Sequence, residues 1–149
     1  MTEVVPVLRM IIANRIDDLE PGLSTMETFL ADQSIGPDDR AQMMIILDEI
    51  ASNVIKAAWP THEAHSFEIA LTLDTTPSHR QIVLVCTDDG VAFDPTQIPP
   101  PDLDADIDER EIGGLGLFLV GELSESMQYC RIDGLNRLTV VKNIGPVEF

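Results

Sequence analysis

The sequence predicts an α/β (α+β) fold: a two-layer sandwich in which a mixed, mostly antiparallel sheet carries three helices on one face. Three observations lead there. Apolar and polar residues alternate with period two over Phe67 to Leu73, and β-branched runs at Gln81 to Cys86 and Leu135 to Lys142 follow through short turns, an arrangement that pairs strands antiparallel. Three other segments repeat their apolar residues at helical spacing or open as helices do. The order is strand, helix, helix, strand, strand, long loop, helix, strand, strand. Single strands and helices do not alternate, which argues against a doubly wound parallel sheet, and three helices with one apolar face each cover one side only.

Residues Val4 to Ile12 form the opening strand, with Pro6 a poor fit to edge pairing. Leu19, Leu23, Met26 and Leu30 then make the apolar stripe of a first helix, with Asp18 as its cap and Pro21 tolerable in the first turn. A second, longer helix opens at Gly36-Pro37-Asp38 and stops before Pro60, with Met43, Ile46, Leu47, Ile50 and Val54 along its buried side. Pro77-Ser78 turns the next strand into Gln81 to Cys86, and Asp88-Asp89-Gly90 ends that one. From about residue 95 to residue 113 the chain is rich in proline and acid, and a loop of that length inside a domain suggests a lid. Gly113-Gly114-Leu115-Gly116 opens the third helix, which runs to about Ser124. Asp133-Gly134 turns a closing hairpin, Met127 to Ile132 and Leu135 to Lys142.

With 149 residues the chain makes one domain, 1–149, and 44% hydrophobic against 23% charged residues is an ordinary globular balance. Nine basic against 26 acidic residues give a net charge of −17, a field that repels a phosphate backbone, so the expected partners are proteins or small ligands and not nucleic acid. No apolar run is long enough to span a bilayer and no secretory pattern opens the chain, which reads as cytoplasmic with no membrane contact. Cys86 and Cys130 sit in strand patterns without metal-ligand spacing and read as reduced, buried thiols, and His62, His65 and His79 read as surface residues.

Glu49 and Asn53 lie four apart on the second helix, about 40° from one another around its axis and beside the apolar stripe. An amide oxygen is a hard ligand suited to Mg²⁺, and a carboxylate can take the proton of an attacking hydroxyl. Taken alone, the pair reads first as a solvated Glu and an Asn near a helix end. Asp88, ending an apolar strand before Gly90, can accept a hydrogen bond from an amino group such as that of adenine, with Gly90 letting the backbone approach the base; the alternative is a plain strand-end turn. The glycines at Gly113, Gly114 and Gly116 stand where unpaired N–H groups and the helix dipole favour an anion, phosphate above all. No Lys-Ser or Lys-Thr follows and no βαβ unit precedes, so this is neither a P-loop nor a dinucleotide fingerprint.

Together and in this order the segments resemble the ATP-binding domain shared by gyrase, the ninety-kilodalton heat-shock chaperones, histidine kinases and mismatch-repair ATPases. Within that superfamily they are most similar to the small serine/threonine kinases of bacterial partner-switching systems, which also act as anti-sigma factors. Asp48 to Ile55 resembles the first box, Asp88 to Pro95 the second and Gly113 to Val120 the third; Tyr129, Asp133, Gly134 and Asn136, with Leu138 to Lys142, resemble the closing hairpin.

The resemblance implies ATP and Mg²⁺ as cofactors, Glu49 as general base, Asn53 as the metal ligand and Asp88 as the reader of adenine. It assigns the nucleotide site to Gly90, Ala92 and Phe93 of the second box, Gly113, Gly114, Leu115, Gly116 and Leu117 of the third, and Thr139 of the closing run. Ala92 stands where a second glycine is expected, and Ala57 where a basic or imidazole residue is common, which leaves Lys56 as the nearby cation. Arg110, alone among the acids of the lid, is either an inward-facing cation for the triphosphate or a surface ion-pair partner. Phe93 and Trp59 read as rim or core packing before stacking platforms. The implied activity is transfer of phosphate to a serine of a small antagonist (anti-anti-sigma) protein, with sequestration of a sigma factor or other client and a homodimeric resting state. An ATP-gated adaptor without transfer is the alternative.

Overall fold

The computed structural model describes residues 7–61, 63–76, 79–97 and 114–145. Five strands, β1 (Val7–Ala13), β2 (Ser66–Thr76), β3 (His79–Asp88), β4 (Ser126–Ile132) and β5 (Leu135–Ile144), form one sheet in the order β1-β2-β3-β5-β4. Every pairing is antiparallel, so the parallel minority expected from the sequence is not found among the described residues. The reason lies in the topology: β3 and β4 do run in the same direction, but β5 inserts between them.

Three helices, α1 (Leu19–Asp32), α2 (Pro37–Ala57) and α3 (Gly114–Leu123), pack on one face. Alternate strand residues turn toward them, and Ile69, Leu71, Ile82 and Leu84 of the sheet are sealed against Met26 and Leu30 of α1, Ile46, Leu47 and Ile50 of α2 and Val120 of α3. Gly36 and Pro37 begin α2 as the sequence requires. Asp18 does occupy the N-cap of α1, but its side chain makes no capping bond, because a 3-10 turn at Ile16–Asp18 already leads into the helix. Asp133 and Gly134 both have positive φ (52° and 78°), the geometry of a two-residue turn that matches the strand twist and a reason for glycine there.

Lys142 is buried on the inward face of β5, where its Nζ donates to Gln42 Oε1 (2.5 Å) and to the Leu123 carbonyl (3.1 Å), with Asp39 Oδ1 at 4.0 Å. It thereby ties the start of α2 to the end of α3 and sets a positive charge at the negative end of the α3 dipole. Cys86 is buried as expected. Cys130 is exposed, because β4 is an edge strand and residue 130 pairs with the outward-facing Arg137. His65 does not sit free at the surface: its ring stacks on Trp59 with centroids 4.8 Å apart, and Trp59 itself belongs to the core.

Candidate nucleotide-binding site

The inward face of the sheet is apolar along most of its length and turns polar at one end, where Asp88 closes β3 and Asn136 is its cross-strand neighbour on β5. The Asp88 Oδ1 accepts from the Gly90 N–H (2.9 Å) and from Asn136 Nδ2 (2.9 Å), and among the described residues Oδ2 carries no partner. Above it opens a small cleft walled by Ile50 and Val54 of α2, Cys86 and Leu138 of the sheet and Leu117 of α3, with the partly exposed Phe93 at its edge. Burial, and then the charge of Asp88, push the Cys86 thiol up, so it lines this wall as a neutral group. An apolar slot with one buried acceptor at 8% exposure suits a flat heterocycle that offers a hydrogen-bond donor.

Gly90 has a different task from the one expected. A Cβ there would lie 2.4 Å from the Ala58 carbonyl oxygen, and the next N–H, of Val91, donates to that oxygen at 2.8 Å. The missing Cβ admits the end of α2. Trp59 Nε1 fastens the same junction by donating to Asp89 Oδ1 at 3.1 Å. Ala92 and Phe93 follow in an irregular stretch that ends where Asp94 Oδ1 accepts from the Thr96 N–H at 2.9 Å.

On α2 the half-buried Glu49 and Asn53 border the cleft wall formed by Ile50 and Val54. Asn53 Nδ2 donates to the Glu49 carbonyl at 2.7 Å, which turns its Oδ1 outward as an acceptor. The Glu49 carboxylate lies against the first turn of α3: a Cβ on Gly116 would stand 1.8 Å from Oε2. Gly116 is therefore held to glycine by Glu49, and a carboxylate is placed beside the positive end of a helix. Lys56 continues the same side of α2 and is exposed. Gly114 and Leu115 begin α3, while Arg110, Gly113 and the lid beyond Gln97 lie outside the described residues. Among the described residues no three His, Cys, Asp or Glu side chains gather.

Thr139 is not brought to the site. Inward-facing residues of β5 are Asn136, Leu138, Val140 and Lys142, so Thr139 points to the opposite face of the sheet. The inward position beside Asp88 belongs to Asn136, which the sequence reading placed in the closing hairpin without a role; Tyr129 and Arg131, bonded to it, were likewise not assigned to the site. The signal was present in part, since Asn136 is the first inward residue after the Asp133-Gly134 turn, but nothing in the sequence says that β5 pairs with β3.

An open antiparallel sheet with helices on one face, a charged acceptor at a strand end, an acid and an amide one turn apart and a glycine-rich helix start together define an ATP-binding domain of the histidine-kinase type. A profile of the family described as histidine kinase-like ATPase domain matches residues 12–142. The chain belongs to this family, and within it to the group of partner-switching anti-sigma kinases. It is 35% identical over 108 residues to the serine/threonine-protein kinase BtrW of Bordetella bronchiseptica, covering 72% of each chain. Among solved structures it resembles the RsbU and RsbW domains of Rv1364c from Mycobacterium tuberculosis, with TM-score 0.61, 14% identity and 97% of this chain aligned to 34% of that one. The SiaB–SiaC complex from Pseudomonas aeruginosa gives TM-score 0.54 at 14% identity, covering 92% of this chain and 89% of the other. Both likenesses concern the fold, and the chain spans about a third of the Mycobacterium structure. Among the described residues no helix is long and apolar enough to cross a membrane.

Proposed function

We propose that the protein is an ATP-dependent serine/threonine kinase and anti-sigma-type switch, which phosphorylates a small antagonist (anti-anti-sigma) protein in the cytoplasm and holds a sigma factor or other client when the antagonist is absent. The observation that carries this is the Glu49 carboxylate, lying over Gly116 at the start of α3 and one helical turn from Asn53. A domain that only bound ATP would have no use for a base there.

Asp88 Oδ2 would accept from the amino group of adenine, and the first turn of α3 would meet the phosphates. Asn53 Oδ1 fits a hard cation and would hold Mg²⁺, which when bound supplies charge neutralisation to the phosphates. Glu49 would take the proton from the serine hydroxyl as its oxygen bonds to the γ-phosphorus and the bond from that phosphorus to the β-phosphate oxygen breaks, leaving ADP. Lys56 extends this side of α2 as an exposed cation for phosphate or partner. The sheet face opposite the helices carries the half-buried Ala70, Val83, Val85 and Val141, and an apolar face of that kind supports the homodimer; a monomeric mass by light scattering would remove it.

The test is transfer from γ-labelled ATP to a candidate antagonist. Glu49→Gln keeps the shape of the side chain and the Asn53 ligand, so nucleotide binding should survive while transfer slows by about 10² to 10⁴. Asn53→Asp should impair both metal-dependent binding and transfer. Unchanged transfer in Glu49→Gln, or ATP binding by wild type with no transfer to any cognate antagonist, would replace the kinase by an ATP-gated adaptor.

A further inference from the structure

The acceptor at the floor of the cleft is one end of a hydrogen-bonded chain that crosses three strands. Asn136 Nδ2 donates both to Asp88 Oδ1 (2.9 Å) and to the Val91 carbonyl (2.8 Å), while Asn136 Oδ1 accepts from the Tyr129 hydroxyl (2.5 Å) and from Arg131 Nη1 (3.0 Å). The same Arg131 Nη1 donates to the Gly90 carbonyl at 2.9 Å. Two of these partners work in one direction only. A guanidinium cannot accept and a carbonyl cannot donate, so the amide oxygen must face Arg131 and the amide nitrogen must face Val91 and Asp88. Asn136, at 5% exposure, has every polar atom engaged and one possible orientation.

That orientation decides what Asp88 can recognise. With Oδ1 filled by the Gly90 N–H and by Asn136, the carboxylate is pinned on one side and offers a ligand Oδ2, which in the ionised group only accepts. A 6-amino purine donates to it, whereas a 6-oxo purine sets a carbonyl oxygen against it. We infer that Asn136, clamped by Tyr129 and Arg131, is a positioning residue that makes this cleft select 6-amino over 6-oxo purine nucleotides. The inference rests on the proposed nucleotide site and adds to it a specificity determinant on the β4–β5 hairpin, outside all three boxes.

The probes are ATP and ITP, which differ at this edge of the base, and the measurement is the ratio of their dissociation constants by calorimetry on the full chain. Wild type should prefer ATP. In Asn136→Ala, which leaves Asp88 free to turn, the preference should shrink by about tenfold or more, the scale of one hydrogen bond to a charged group. Tyr129→Phe removes only the hydroxyl and should shrink it severalfold with an unchanged circular-dichroism spectrum; it decides the matter should Asn136→Ala fail to fold. A merely structural role would weaken both nucleotides alike, so an unchanged ratio in the folded variants overturns the inference while leaving ATP binding in place. Wild type that binds neither nucleotide would remove the proposed site and this inference together.

Discussion

Adding one methyl group at position 116 tests the placement of the proposed base without touching the base itself. The new Cβ would stand 1.8 Å from Glu49 Oε2 and 2.5 Å from Cδ, whereas ordinary contact begins near 3.4 Å, so the carboxylate must retreat by about 1.2 to 1.6 Å. Its Cγ, at 3.3 Å, has to give as well, which means a changed rotamer and not a small adjustment. Misplacing a catalytic group by an ångström costs about 10²-fold in rate. Stability should move little, because replacing a helical glycine by alanine gains up to about 1 kcal/mol while the displaced side chain costs about 1 to 3 kcal/mol. The expected result for Gly116→Ala is thus transfer slowed by about 10²-fold with a midpoint within a few degrees of wild type. The double variant with Glu49→Gln should be no slower than Glu49→Gln alone, since the methyl acts only through a base already lost. Transfer at the wild-type rate in Gly116→Ala, or full additivity in the double variant, would refute the assignment of Glu49 as a base held in this position.

Asp88→Asn should weaken ATP binding by about 1.5 to 3 kcal/mol, the value of a hydrogen bond to a charged group, and equal affinities by calorimetry would take Asp88 out of the site. Gly90→Ala should destabilise the fold by about 2 kcal/mol or more, because its Cβ would meet the Ala58 carbonyl at 2.4 Å and break the Val91 bond; thermal unfolding reads this, and an unshifted midpoint would contradict the packing at the end of α2. A disulfide reagent should label Cys130 quickly and Cys86 only on unfolding. Raising the pH to about 9 should not change that for Cys86, whose thiol is pushed up by burial and by Asp88; two fast thiols in the native protein would count against the buried wall.

Much of this molecule was legible in the chain. Period-two alternation, the Gly36-Pro37 start and the Asp133-Gly134 turn are local signals, and the elements they predict are found within one to three residues of their expected ends. What stayed hidden depends on which strands meet. Thr139 lies three residues beyond Asn136 on β5, and in a strand an odd step exchanges the two faces of a sheet. The close approach of the end of α2 to Gly90 is equally hidden, because the sequence does not show that α2 ends against it. Cys130 was read as buried for a similar reason, since an edge strand and a central one look alike in composition.

The strand order also says in what sequence the molecule can assemble. β2 with β3 and β4 with β5 are hairpins that close over short turns, and α1 with α2 packs along adjacent stretches of chain. The remaining seams are long-range: Arg9 and Glu68, bonded diagonally across β1 and β2, are 59 residues apart, and Asp88 and Asn136, paired across β3 and β5, are 48 apart. Loop-closure entropy sets such contacts late in folding, after the local hairpins exist. The seam that forms late is the one that builds the floor of the nucleotide cleft, with Asp88 arriving on one hairpin and Asn136, Tyr129 and Arg131 on the other. Pulse-labelled hydrogen exchange should find the amides bonded between β3 and β5 protected after those bonded within the two hairpins; early protection there would exclude this order. A nucleotide bound at the proposed site would favour the joined form by mass action and act as the final piece of the fold.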